Sequence, residues 1–243
     1  MGFQRTKRTL FLTASVFLLV FLLRGTFSEK EKVPAFPASA DGTPPLLALT
    51  FDDGPRRSTT SALLDGLAQR GVKATFFLIG RQIPGNEDLI RRMEREGHQI
   101  GIHTYDHVEL TGLNRADFDA QVGATRTLLT QLLGHNGFLL RPPYGSVDAG
   151  VRAMAGAPIV LWSVDPEDWR EQDPQLIAEH LVSHAKDGDI LLLHDIFPGS
   201  VEAALAAVDA LMAKGYYFVT VEELFSLRHV SLENGCVYRC AAP

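Results

Sequence analysis

An α/β protein built on a parallel sheet, open or closed into a barrel, is the fold class that the sequence predicts. Two observations predict it. Apolar strand-like runs alternate with amphipathic helical runs from Leu46 onward, and five of the strand-like runs end in ionisable side chains. A parallel barrel gathers the carboxyl ends of its strands at one rim, so these endings can converge although they span more than 140 residues.

The first strand is Leu46 to Phe51, a continuous apolar run stopped by Asp52-Asp53-Gly54-Pro55. Thr59 to Arg70 then has helical spacing. Ala74 to Ile79 and Asn86 to Glu96 form the next strand and helix, followed by His98 to Ile102 and a long helix from Arg115 to Leu133. Phe138 to Leu140 and Ile159 to Trp162 are short strands. A helix near Pro174 to Lys186, a strand at Ile190 to Leu193, a helix near Ser200 to Lys214 and a strand at Tyr217 to Thr220 complete the pattern. No internal repeat is present, and periodicity does not choose between an open sheet and a barrel.

The chain of 243 residues has 46% hydrophobic and 21% charged residues, enough apolar material for one large domain and no sign of disorder. Its formal charge of -6 argues against a nucleic-acid partner bound through a basic face. The charge is uneven. Residues 1–24 carry Arg5, Lys7, Arg8 and Arg24 and no acid, leaving 19 basic against 29 acidic residues downstream, a net charge of -10.

Between Arg8 and Arg24, the uncharged run Thr9 to Leu23 has the basic start and apolar core of an export signal. As a helix it spans about 22 Å, short of a hydrocarbon core of roughly 30 Å, which favours a cleavable signal. Thr26-Phe27-Ser28 is a weak cleavage site, which favours an uncleaved membrane anchor. Residues 1–28 are therefore expected to be a signal or anchor, and the body is expected to be exported. Residues 29–45, with four Pro and a Glu-Lys-Glu-Lys run, are expected to be a linker. The domain is expected over 46–228, with a C-terminal tail over 229–243.

His103 and His107, four apart after a strand, can meet one metal ion, and the Asp52-Asp53 strand end can complete a three-ligand site. His180 and His184 share the spacing but lie near the end of an amphipathic helix, where the dipole favours His, and are expected to be structural. Adjacent Asp side chains diverge in extended chain, so one can bind metal while the other faces the ligand cavity. A cation between them and Arg141 nearby would balance their charge. A turn at Asp53-Gly54-Pro55 explains one Asp without chemistry, but not both.

These residues fall into five motifs: Thr50-Phe51-Asp52-Asp53-Gly54-Pro55, His103-Thr104-Tyr105-Asp106-His107, Arg141-Pro142-Pro143-Tyr144-Gly145, Asp165-Pro166-Glu167-Asp168-Trp169 and Leu191-Leu192-Leu193-His194-Asp195. In this content and order the chain resembles the polysaccharide deacetylases with a NodB homology domain, carbohydrate esterase family 4, from about Leu46 to Leu227. Thr104 stands where Ser is common in that family. The resemblance implies a distorted (β/α) barrel. It also implies a divalent metal, usually zinc with cobalt or another ion as alternatives, held by Asp53, His103 and His107. By the same resemblance Asp52 is the general base, Arg141 its partner, His194 the general acid and Asp168 the carboxylate that holds the imidazolium. The backbone N–H of Tyr144 is implied as an oxyanion donor, and Trp169 and Leu192 as walls of the acetyl pocket. Tyr105 and Tyr144 are further candidates for stacking on sugar rings.

A metal with three protein ligands keeps positions open for water and substrate, and a departing amine needs a proton that His can supply. With that chemistry, the activity that the resemblance implies is removal of N-acetyl groups from N-acetylglucosamine units of a cell-wall polysaccharide, peptidoglycan first because of the membrane-proximal head. Chitooligosaccharide deacetylase and O-acetyl xylan esterase are the enzymatic alternatives. A wall-binding protein with a structural metal and a non-haem iron oxygenase are readings from other classes. Cys236 and Cys240, an even pair in an exported chain, are expected to form a small disulfide; a metal site combining them with His229 would lack a fourth ligand.

Overall fold

The computed structural model describes residues 45–241. The expected signal or anchor over 1–28 and all but the last residue of the expected linker lie outside the described residues. In chain order the elements are β1 (Leu46–Asp52), α1 (Arg57–Arg70), β2 (Thr75–Leu78), α2 (Glu87–Arg95), β3 (Gln99–Ile102), α3 (Arg115–Phe118) and α4 (Ala124–Leu133). There follow β4 (Leu139–Leu140), α5 (Ala149–Met154), β5 (Ile159–Val160), α6 (Pro174–His184), β6 (Ile190–His194), α7 (Pro198–Ala213), β7 (Tyr217–Val219), α8 (Val221–Leu227) and β8 (Val237–Tyr238).

All strand pairs in the sheet are parallel, in the order β6-β1-β2-β3-β4-β5-β8, with β7 on the first residues of β1. The two ends of this path approach each other through isolated bridges alone, Val164 with Leu191 and Asp189 with Cys240. The sheet is thus a curled, distorted barrel with helices on its outer side. Alternation along the strands sorts the core into two layers. Leu47, Leu49 and Phe51 of β1 belong to the layer under the helices, whereas Leu46 and Ala48 belong to the barrel interior with Phe77, Leu139, Val160 and Ile190. Burying each such side chain contributes about 1.5–3 kcal/mol. Gly101 is required on β3 because a Cβ there would lie 2.5 Å from the Phe77 ring.

Three expectations are corrected. The helix expected over Arg115 to Leu133 is a continuous helical rod, but its middle, Asp119–Gly123, has wider π bonding, so α3 and α4 are distinct. The C-terminal tail is part of the domain: β8 pairs with β5 and extends the sheet beyond the boundary drawn at 228. Cys236 and Cys240 are free thiols, not a disulfide. The strand β8 lies between them and is held against β5.

Helices α5 and α8 were not anticipated. Thr220 begins α8 with a reciprocal capping box to Glu223, a signal present in the sequence. Both ends of the described chain meet at Gly188, whose N–H donates to the Leu46 carbonyl and whose carbonyl accepts from the Ala241 N–H, each at 2.8 Å.

Candidate active site

The inward-facing row of β1, Ala48-Thr50-Asp52, ends in a carboxylate, and that of β6, Ile190-Leu192-His194, ends in an imidazole. The β1–β6 register sets Asp52 opposite His194 on the last rung of the ladder. A cavity of about 470 Å³ opens at this rim, lined by Asp52, Asp53, His103, His107, Tyr144, Trp169, Leu192 and His194. Arg141 and Asp168, both buried, complete the set of expected site residues. A larger open groove of about 790 Å³ between α6 and α7 contains none of them.

His103 follows β3, and its Nδ1 lies 2.7 Å from the Arg141 carbonyl oxygen. A carbonyl only accepts, so Nδ1 carries the proton and Nε2 presents a lone pair to the cavity. That Nε2 is 3.6 Å from Asp53 Oδ1, and His107 Nε2 is 3.4 Å from the same oxygen. Asp53 Oδ1 is buried and has no hydrogen-bond partner. Burial, and then the neighbouring His103, lower the His107 pKa, which favours the neutral ring a metal requires. Two lone pairs and an orphaned carboxylate oxygen within 4.8 Å of one another fit a divalent cation.

The backbone is bent to achieve this. Asp53, Thr104, His107 and Tyr144 all have left-handed φ, between 62° and 73°. Such conformations cost of order 1–3 kcal/mol each in a non-glycine residue and cluster at functional sites. The Thr104 hydroxyl supports the turn by accepting the His107 N–H at 3.0 Å.

Arg141, at the end of β4, is completely buried. Its Nη1 donates to Asp52 Oδ1 and to the Thr50 hydroxyl, both at 2.8 Å, while Nε and Nη2 donate to the carbonyls of Val160 and Leu161. The guanidinium lies over the Phe77 ring at 4.1 Å. Asp52 Oδ2 is not engaged by Arg141 and stands 3.7 Å from His103 Nε2. On the facing side, His194 Nδ1 is 2.7 Å from Asp168 Oδ1. Burial lowers the His194 pKa, but the Asp168 hydrogen bond and charge outweigh it, helped by Asp52 and Asp53, and lift it to about 9.

Leu192 is buried in the floor of the cavity, whereas Trp169 and Tyr144 stand 53% and 68% exposed at its mouth. Large exposed aromatics beside a cavity are suited to a ligand with apolar faces. The Tyr144 ring meets the His107 ring edge-on at 4.9 Å. Tyr105 lies against Gly80 instead of lining the cavity. His180 and His184 stack on each other on α6 at 4.1 Å, and they belong to no group of three metal-ligating side chains among the described residues. Sequence reasoning missed Trp162 as part of the cavity and Thr50 and Phe77 as supports of Arg141. The alternation of β1 carries a signal for Thr50, which shares the inward face with Asp52.

The chain matches the sequence model of the polysaccharide deacetylases over residues 39–157. It is 38% identical over 194 residues to the peptidoglycan-N-acetylglucosamine deacetylase PgdA of Listeria monocytogenes, covering 80% of this chain and 41% of that one. A peptidoglycan-N-acetylglucosamine deacetylase of Bacillus cereus is 35% identical over 206 residues, 82% of this chain and 74% of its own. The chain belongs to the polysaccharide deacetylase family. In fold, this deacetylase-family chain matches the structure of T48 deacetylase with substrate, at 38% identity and a TM-score of 0.77 over 80% of this chain and 96% of that one. A family 4 acetyl xylan esterase from Clostridium thermocellum in complex with a cobalt ion matches with a TM-score of 0.77 and 29% identity, over 80% and 98%. The family member described here spans about two-fifths of the length of PgdA.

Proposed function

We propose that the protein is a metal-dependent hydrolase that removes N-acetyl groups from N-acetylglucosamine units of a cell-wall polysaccharide, with peptidoglycan as the substrate. The observation that carries this reading is the placing of a proton acceptor, Asp52, and a carboxylate-locked imidazole, His194, on opposite sides of one rung beside the Asp53-His103-His107 cluster. The amine of an amide leaves only with a proton, whereas the alkoxide of an ester needs less help from an acid, so the His194–Asp168 pair favours the N-acetyl substrate over acetylxylan. The names of the two relatives support peptidoglycan. The expected export head supports the same choice by location, with the enzyme secreted to the wall or held at the membrane by residues 1–28.

Asp53, His103 and His107 would hold the cation, zinc by preference and cobalt as an alternative. When bound, it would supply a Lewis acid that lowers the pKa of water and polarises the acetamide carbonyl. Asp52 Oδ2 accepts the proton of the attacking water while Arg141 holds Oδ1 and so fixes the carboxylate plane. The Tyr144 N–H donates to the oxygen on which negative charge develops. His194 gives its outward Nε2 proton to the departing nitrogen, and Asp168 stabilises the ring before transfer. Leu192 and Trp169 close around the methyl group and crowd out longer acyl chains. Acetate and a free amine are the products.

Acetate release by the full chain is measured over peptidoglycan, chitooligosaccharides and acetylxylan, with metal analysis of the same preparation. The expected result is release from peptidoglycan above both others. Release from acetylxylan alone would make the protein an O-acetyl esterase, and a metal-loaded protein inactive on all three would be a binding protein. Iron with oxygen consumption would point to an oxygenase.

A further inference from the structure

One buried carboxylate just beyond the last rung of the β1–β6 ladder has no part in the reaction above. Asp195, which follows His194, is 1% exposed, and its Oδ2 accepts the Thr60 hydroxyl from α1. That hydroxyl oxygen in turn accepts the Arg56 N–H at 2.8 Å, and Arg56 Nη1 donates to the Ile196 carbonyl at 3.0 Å. Two bridges therefore tie the loop leaving β1 to the loop leaving β6. Gly54 completes the contact: a Cβ there would lie 2.7 Å from the Asp195 carboxylate carbon, so only glycine lets the first loop settle on it.

The place of these contacts gives them meaning. The β1–β6 ladder ends with Asp52 opposite His194, and beyond that rung the loops are joined by side chains in place of ladder bonds. Asp195 Oδ1 is buried without a hydrogen-bond partner. An unpaired buried carboxylate oxygen opposes folding, so stability does not account for Asp195.

We propose that Asp195 is a positioning residue which, through Thr60 and its seat under Gly54, fixes the separation between Asp52 and His194. The inference rests on the deacetylase reading and adds to it a group that touches neither the reacting atoms nor the metal cluster. Amide hydrolysis needs acid and base on one bond at once, and a displacement of about 1 Å can cost about 10²-fold. An activated aryl acetate needs the base and not the acid. Loosening the two loops should therefore damage the first reaction far more than the second.

The test compares full-length wild type, Asp195→Ala, Asp195→Asn and Thr60→Val on an N-acetylglucosamine oligomer and on an aryl acetate. For Asp195→Ala the expected result is a fall in kcat on the oligomer of about 10- to 100-fold, with KM and metal content unchanged and a loss of no more than about threefold on the aryl acetate. Asp195→Asn keeps an acceptor for Thr60 and should recover most of the rate. Thr60→Val removes the donor, keeps the volume and should reproduce the selective loss, which preserves the test should Asp195→Ala fail to fold. Equal losses on both substrates, loss of metal, or wild-type kcat in both Asp195→Ala and Thr60→Val would overturn the inference. A wild type that releases no acetate from any N-acetyl substrate would overturn the functional reading and this inference together, whereas variants failing these expectations beside an active wild type would overturn this inference alone.

Discussion

Both oxygens of Asp168 are taken by one residue, His194: its ring Nδ1 lies 2.7 Å from Oδ1, and its backbone N–H donates to Oδ2 at 2.8 Å. The ring and the strand end that carries it are thus fixed against the same carboxylate, and Nε2 points outward. In metal-free protein the His194 ring should titrate near 9, above its ordinary 6.5. The raised value stabilises the fold fully below about 6.5, and that contribution is lost as pH rises through about 9. A bound cation opposes the shares of Asp52 and Asp53, so the alkaline limb of kcat/KM should fall between 6.5 and 9. Asp168→Asn should move the limb toward 6.5. NMR titration and pH–rate profiles measure both, and a limb unmoved by Asp168→Asn would refute the pairing.

Asp52 and Asp53 should separate cleanly. Asp52→Asn keeps the shape but cannot accept the water's proton, so it should retain metal and lose acetate release by about 10²- to 10⁴-fold. Asp53→Asn removes an anionic ligand, and excess metal should restore part of the rate. Metal lost from the first variant and kept by the second would reverse the two assignments.

Chelation should abolish acetate release, and zinc or cobalt should restore it. His103→Ala and His107→Ala should each lose bound metal, measured by elemental analysis, while His180→Ala and His184→Ala keep it. Equal loss from both pairs would place the ion elsewhere.

Arg141 should be costly to alter. Arg141→Met leaves Asp52 buried without its partner and should destabilise the protein by about 3–5 kcal/mol in urea unfolding. Arg141→Lys keeps the charge but lacks the planar fork that reaches Asp52, Thr50, Val160 and Leu161 together. It should recover less than half of the lost stability.

The chemistry of the rim was legible because it lies where strands stop: an apolar run followed by Asp52, His103, Arg141 or His194 marks both the strand and its functional end. The supports of that rim were not. Phe77 and Trp162 gain their roles from register between strands distant in sequence, and nothing in their own surroundings announces it; Thr50 is signalled only by sharing the inward face of β1 with Asp52. Closure of the barrel was equally hidden, because it depends on the single bridges at Val164 and Cys240. The C-terminal strand escaped notice because two residues are too few to show a period, although the capping box at Thr220 marked the helix before it.

Gly188 gives the domain a single seam. Leu46 and Ala241 are stitched to the two faces of one residue, so the polypeptide enters and leaves the fold at the same point. That point is the amino end of β1 and β6, and the length of β1 puts it roughly 20 Å behind the mouth. A segment joined to Leu46 or to Ala241 therefore starts at that end of the strands and not at the rim. The seam and the Asp52–His194 rung thus occupy opposite ends of the same two strands, so the joints of the fold and its chemistry are kept apart.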